Sequence, residues 1–261
     1  MKRLLVLILI FGFTPLSSFA FDHDYKALAG VLKEHVVYVN QHSYVRYNHL
    51  KRNKTQLNEF KKNIEAVTKA EYDSWTKDQQ LAFLINVYNG MALKLITTSD
   101  NEVSSIDDIG GVFQNSLKKE FFTLFGEDCW LAQIRHDRIR IDFNEPRSHL
   151  ALVPAAQGSP PLRNEPYLAK TLDAQLEDQA RKFIQNPRKN IFMSNYPRHV
   201  RISNIFNWYR ADFKNKYGDL KTFLKPYMAD GDPDLGGKLM ESNTHITFNR
   251  FNWELNRHGN E

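Results

Sequence analysis

One stretch in the middle of the chain collects the residue types that acyl-transfer chemistry uses. Asn144, Glu145, Arg147 and His149 lead into a small-residue turn that ends in Ser159, just before Pro160 and Pro161. Paired prolines fix φ and stiffen such a turn, so a hydroxyl at its end is held in one place. With His149 or His136 as base, Ser159 reads as a nucleophile, or else as a donor to a ligand. Asn144 and Arg147 would then be ligand-binding groups. The plainer reading is a core histidine beside a turn-forming serine, and it carries more weight because serine is a routine turn residue. Asp142 and Glu145 are near in sequence, but that supplies no triad geometry.

A second pair of polar residues sits in unusual company. Asn86 and Asn89 are three apart, hence on one face of the most apolar helical segment of the chain. Amides there either hydrogen-bond a loop backbone and order it or orient a ligand, and the sequence leaves both open. The stretch 181–201 holds Arg181, Lys182, Arg188, Lys189, Arg198 and Arg201 and no acid. It reads first as a helix C-terminus and a solvated face, where cations are favoured, and second as a surface for a polyanion.

Several chemistries lack their motifs. The chain has no G-x-S-x-G elbow, no H-E-x-x-H, no P-loop and no dinucleotide fingerprint. Its nine histidines form no i, i+4 metal pair, so neither a metal nor a cofactor is expected. Cys129 is the only cysteine. It rules out an internal disulfide and reads as a small buried hydrophobe.

These residues must be positioned by a helix-rich scaffold. Apolar spacing predicts helices over 22–39, 50–67, 77–97 and 173–185. Thr76 is the expected N-cap of the third, with Asp78 in its first turn. A short helix is expected over 104–109, broken by Gly110 and Gly111. Residues 130–142 read as a strand or a short helix, and 146–161 as irregular. Short strands are expected over 190–193 and 199–202 around a turn at 194–197, and over 245–251. Helices are expected over 204–213 and 218–228, with a loop marked by Gly231, Pro233, Gly236 and Gly237. No linker or repeat divides the chain. The pattern predicts an α+β fold, predominantly helical with a few short strands, as a single compact domain.

The first twenty residues carry a different message. Lys2 and Arg3 precede an apolar run from Leu4 to Phe13, and Ser18 and Ala20 supply small residues at −3 and −1 of a cleavage site. The run is too short for a membrane span. Residues 1–20 therefore read as a signal peptide and 21–261 as one globular domain, soluble after cleavage and placed in the periplasm or secreted from a Gram-negative bacterium. Without Lys2 and Arg3 the formal charge falls from +5 to +3, too small an excess to argue for nucleic acid.

Four segments, taken together and in order, resemble the bacterial family called domain of unknown function 547. Leu81 to Gly90 is similar to its FWINLYNA-type helix. Pro146 to Leu152 with Pro160, Pro161 and Leu162 resembles its PRIHFAL…CPPL segment. Ser203 to Phe213 resembles its SKIFKWYREDF helix, and Phe251 to Asn256 its YDWSLN ending. The family pattern usually carries two cysteines in the middle segment, where this chain has Pro154 and Ser159. It also tends to Glu-His where this chain has Arg135 and His136. The resemblance implies a fold and a candidate site and carries no reaction with it. The reading that follows is a ligand-binding or accessory module with a polar cleft around the 77–97 helix and the 144–162 loop. Its partner would be a small molecule or an envelope protein. A hydrolase or acyl-transferase using Ser159 with His149 or His136 is the alternative.

Overall fold

Helix α5, Lys77–Ile96, is the element the rest of the chain wraps. The computed structural model describes residues 20–99, 101–110, 115–192 and 199–259. The expected signal peptide, nearly all of it, and the expected turn at 194–197 lie outside the described residues. Thr76 caps α5 as expected. Its hydroxyl accepts from Gln79 N at 3.3 Å while the Gln79 side chain accepts from Thr76 N at 2.9 Å, a capping box. Sixteen of the twenty residues of α5 are buried, so the helix is surrounded on all sides rather than packed on one stripe. Gly90 permits this on one side: a Cβ there would stand 2.3 Å from the Phe60 ring.

Ahead of α5, helix α1 (Lys26–His35) runs straight into a hairpin, β1 (Val36–Val39) paired antiparallel with β2 (His42–Val45). The single helix expected over 22–39 is thereby corrected. Three β-branched residues and a tyrosine favour a pleated strand over a helix, and Asn40 takes the left-handed conformation, φ 55°, that a two-residue turn needs. Likewise α2 (Tyr47–Arg52) and α3 (Thr55–Glu65) replace one helix expected over 50–67, with α4 (Lys69–Asp73) after them.

After α5, strands β3 (Phe122–Leu124) and β4 (Glu127–Cys129) form a second hairpin. It turns through Phe125 and Gly126, both at positive φ. Residues 131–142, left open between strand and helix, are helical throughout: α6 (Leu131–Gln133), a π-helical stretch (Ile134–Ile139) and α7 (Arg140–Asp142). A 3-10 turn spans Pro146–Leu150, and α8 covers Leu172–Ile184. Strands β5 (Ile191–Phe192) and β6 (His199–Ser203) follow. Then come α9 (Ile205–Trp208), α10 (Arg210–Tyr217), α11 (Leu220–Gly231), α12 (Pro233–Met240) and β7 (His245–Asn249). The sheet order is β5-β6-β7, with β7 parallel to β6. Helix α12 corrects the expected loop at 231–237. Asp232 caps it by accepting from Asp234 N, Pro233 fills its first turn, and Gly236 lets it press on Ala229 of α11, where a Cβ would meet that methyl at 2.7 Å.

The fold is α+β, mostly helical and compact. One apolar core surrounds α5, and a second lies among α8, β6 and α9 to α11. Trp253 touches both. Cys129 belongs to the first core, and burial pushes its thiol up to about 12.

Asn86 and Asn89 resolve in favour of the loop-ordering role. The Asn86 side chain donates to Tyr167 O at 2.7 Å and accepts from Tyr167 N at 2.9 Å. Asn89 donates to Ala151 O at 2.9 Å and accepts from Val153 N at 2.9 Å. Each amide thus pairs with backbone as a neighbouring strand would. Asn89→Ala leaves a buried N–H and a buried C=O without partners, at roughly 1–3 kcal/mol for such a group. Urea denaturation of Asn86→Ala and Asn89→Ala should show losses in that range. A midpoint unchanged in both would show that the loops are held by something else.

Candidate functional site

The residues singled out by type do not gather in one place. They divide between two clefts and the loop clamps just described.

The first cleft, of about 130 Å³, is lined by Asn144, Glu145, Ser148, His149, Arg140 and Asp212 among others. Pro146 starts the 3-10 turn, and Glu145 caps it by accepting from Arg147 N at 3.1 Å. That turn sets His149 against the start of α10. Its imidazole stacks on Tyr209, 3.8 Å between centroids and 6° from parallel. Its Nε2 lies 2.7 Å from Asp212 Oδ2. Arg140 donates to both oxygens of Asp212, at 2.7 and 2.8 Å. Arg135, buried beneath, donates to the hydroxyls of Tyr88 and Tyr209 at 2.8 and 2.9 Å.

Burial takes His149 down to about 4, and the positive charges of Arg135 and Arg140 add to that against the pull of Asp212. The hydrogen bond from His149, then that from Arg140, holds the Asp212 carboxyl well below the usual carboxylate range. At neutral pH a neutral imidazole therefore donates its Nε2 proton to a carboxylate. His149 Nδ1 is a buried lone pair with no partner among the described residues. This is half of a catalytic constellation: an orienting acid and a base, without a nucleophile.

The other residues expected here have other duties. Arg147 is bound by Glu145 through two hydrogen bonds at 2.8 and 2.9 Å, and by Asp173 at 2.7 Å. Glu145 also accepts from Lys216 at 2.7 Å. Burial would raise the Glu145 carboxyl, but Arg147 and Lys216 outweigh it and hold it low. Asn144 lines this cleft and a neighbouring groove between α5 and α8. His136 is exposed one turn before Arg140, with Nδ1 3.4 Å from Arg140 Nη1.

Ser159 belongs to the second cleft, of about 200 Å³. The structure brings it to neither His149 nor His136: its Oγ is buried and has no hydrogen-bond partner among the described residues. The turn that carries it is stitched to the end of the chain. Gly158 N donates to Asn252 O and Gln157 N to Glu254 O, both at 2.7 Å. Gly158 is required by that approach, since a Cβ would lie 2.7 Å from Asn252 N. The opposite walls bring in His42, Arg188, Lys189 and Arg250, and no described residue lining the cleft is Asp or Glu. Lys189 makes no ion pair among the described residues; burial, then Arg188, lowers its amine to about 8. Burial and the same two cations lower His42 to about 4. Of the basic stretch 181–201, Arg181 and Lys182 are paired with Glu177, Asp230 and Asp178, while Arg188 and Lys189 face this cleft.

Sequence reasoning missed Asp212, Arg140 and Tyr209, which lie 63, 9 and 60 positions from His149 in the chain. The available signal was the helix of residues 203–213, already conspicuous as a segment, with an acid on it. The His149 arrangement predicts a directly measurable titration. By NMR, the His149 ring should titrate near 4, well below the ordinary 6.5. Because the unfolded chain takes up that proton first, His149 should weaken the fold as pH falls from about 6.5 to 4. A midpoint at or above 6.5 would contradict the burial and pairing described.

The comparisons with known proteins agree with the sequence resemblance. No curated protein and no solved structure matches the chain. A family model does, over residues 72–184, a span that holds α5, the π-helical stretch, the His149 turn, Ser159 and α8. Over that segment the chain is similar to the family described as protein of unknown function, DUF547.

Proposed function

We propose that this protein is a small-molecule binding module of the periplasm whose ligand is a small anion, held in the Ser159 cleft. One observation carries the reading. A cleft walled by Arg188, Lys189 and Arg250 has no acid among its described lining residues, and it contains a buried serine hydroxyl without a partner among the described residues. Buried polar groups are nearly always satisfied, and a desolvated ammonium without a counterion costs free energy. A carboxylate or phosphate supplies both at once: negative charge for Lys189 and acceptor oxygens for Ser159. Localisation rests on the basic, apolar and small-residue order of residues 1–20. No helix among the described residues is long and apolar enough to cross a membrane.

The hydrolase alternative has less support. A serine needs an adjacent base to attack, and His149 lines the other cleft while the Ser159 hydroxyl has no hydrogen-bond partner among the described residues. Incubation with a fluorophosphonate serine probe should leave Ser159 unlabelled. Labelling that disappears in Ser159→Ala would replace binding by catalysis.

Isothermal titration of the protein with inorganic phosphate and with succinate, at millimolar concentration, tests the binding reading and separates the two anion classes. At least one should bind, and Lys189→Met should weaken it roughly tenfold or more, the loss of one charge-assisted contact at about 1.5–3 kcal/mol. Affinity should also fall as pH rises through about 8, because Lys189 then loses its proton. Binding that is indifferent to both Lys189→Met and pH would place the anion elsewhere.

A further inference from the structure

A third group of side chains stands apart from both clefts. His35 is the last residue of α1 and is buried; His49 lies on α2, half exposed; Glu34 precedes His35 on the helix surface. The β1–β2 hairpin explains why they meet. It reverses the chain between the two helices, and Arg46 N donates to His35 O at 3.0 Å, which fixes α2 beside the end of α1. The Nδ1 atoms of His35 and His49 are 3.3 Å apart. Glu34 Oε1 is 3.6 Å from His49 Nδ1, and Glu34 Oε2 is 3.8 Å from His35 Nε2. One ligand atom from each residue lies within 4.8 Å of the other two.

We propose that Glu34, His35 and His49 bind a divalent transition-metal ion of the zinc class. The two imidazole nitrogens fit before any ion is placed. Two nitrogens each about 2.0–2.1 Å from zinc, at a tetrahedral angle, stand about 3.3–3.4 Å apart, and the two Nδ1 atoms already do. A carboxylate oxygen completes a third vertex by rotation of the exposed Glu34 side chain. Two of the three ligands reach solvent, so the fourth vertex is open to water or to a ligand, the pattern of sites that keep an exchangeable position. Imidazole and carboxylate together suit zinc, nickel or copper better than calcium or magnesium, which prefer oxygen alone. Arg46 stands near His35 and opposes a cation, so affinity rests on the three ligands. The competing account is an N–H···N hydrogen bond between the two rings, which needs no ion.

The purified, untagged protein, stripped with a chelator, is titrated with Zn²⁺ by calorimetry and with Co²⁺ by visible absorption. One equivalent should bind, and the cobalt form should show the intense bands of tetrahedral N/O coordination. His49→Ala, at a half-exposed position, should abolish the cobalt bands, and Glu34→Gln should weaken zinc at least roughly tenfold. Both variants should keep the circular dichroism spectrum of the parent. His245→Ala serves as control, because His199 and His245 form another ring pair, 5.8 Å between centroids. Loss of binding in His245→Ala but not in His49→Ala, or no saturable binding to the parent at all, overturns the proposal in favour of the hydrogen-bonded pair.

Discussion

The fold depends on two amides inside an apolar helix. α5 is buried on all sides, and a helix so placed has no natural way to hold irregular chain against itself, because its own backbone groups are consumed internally. Asn86 and Asn89 supply what the helix backbone cannot. Each presents one donor and one acceptor in the spacing of a peptide unit, and each captures a loop by both groups. Asn89 fixes Ala151 to Val153, directly after the 3-10 turn that carries His149. Asn86 fixes Tyr167, directly before α8. Everything between, the Ser159 turn included, is therefore suspended between two points on one helix. Backbone inside a protein must find partners, and here it finds them in side chains rather than in strands.

That dependence explains what was legible in the sequence. α5, its Thr76 cap and α8 were readable because helical periodicity and capping are local properties. The hairpins β1–β2 and β3–β4 were not, although Asn40 and Gly126 marked their turns. Each strand has only three or four residues, too few for alternation to show against the neighbouring helical pattern. α12 was hidden by Gly236 and Gly237, read as breakers, whereas Gly236 is a contact surface for Ala229. The candidate residues were readable by type, and their grouping was not. His149 meets Asp212, and Ser159 shares a cleft with Lys189, only through tertiary placement, across chain separations that no periodicity reports.

The two clefts differ in how charge is settled, and the proposed ligand site rests on that difference. Around His149 every described charge has an answer. Asp212 is neutralised by Arg140, Glu145 by Arg147 and Lys216, and Arg147 by three carboxylates. Arg135 is answered by tyrosine hydroxyls and ring faces. Such networks hold elements together, here α7, the 3-10 turn, α8 and α10. Around Ser159 the cations Arg188, Lys189 and Arg250 have no ion-pair partner among the described residues. Partial burial and then Arg188 lower the half-buried Lys189, and burial and then both cations lower His42. Charge without a counterion is unfavourable where water is partly excluded, and the proposed anion site rests on that. Paired charge around His149 holds elements together, which is why the more catalytic-looking histidine is not the site proposed for a ligand.

The Ser159 turn also shows how the chain holds an irregular loop without a disulfide, Cys129 being its only cysteine. A cross-link there would restrain the loop by shortening the unfolded chain's freedom. This chain restrains the same loop from outside. Ala155 O accepts from Asn256 N, Gln157 and Gly158 donate to Glu254 and Asn252, Leu162 N donates to Ser43, and Gln179 reaches Pro161 O. Ala155 adopts a left-handed φ of 54° within this lattice, a conformation a non-glycine residue keeps only where its surroundings dictate it. The restraint comes from β2, α8 and the last residues of the chain, so the turn is rigid because the C-terminal segment is docked. Position 159 presents a hydroxyl to a basic cleft. A hydroxyl attacks only where a base takes its proton, and among the described residues the Ser159 hydroxyl has no hydrogen-bond partner. Its basic surroundings are what the proposed retention of an anion rests on.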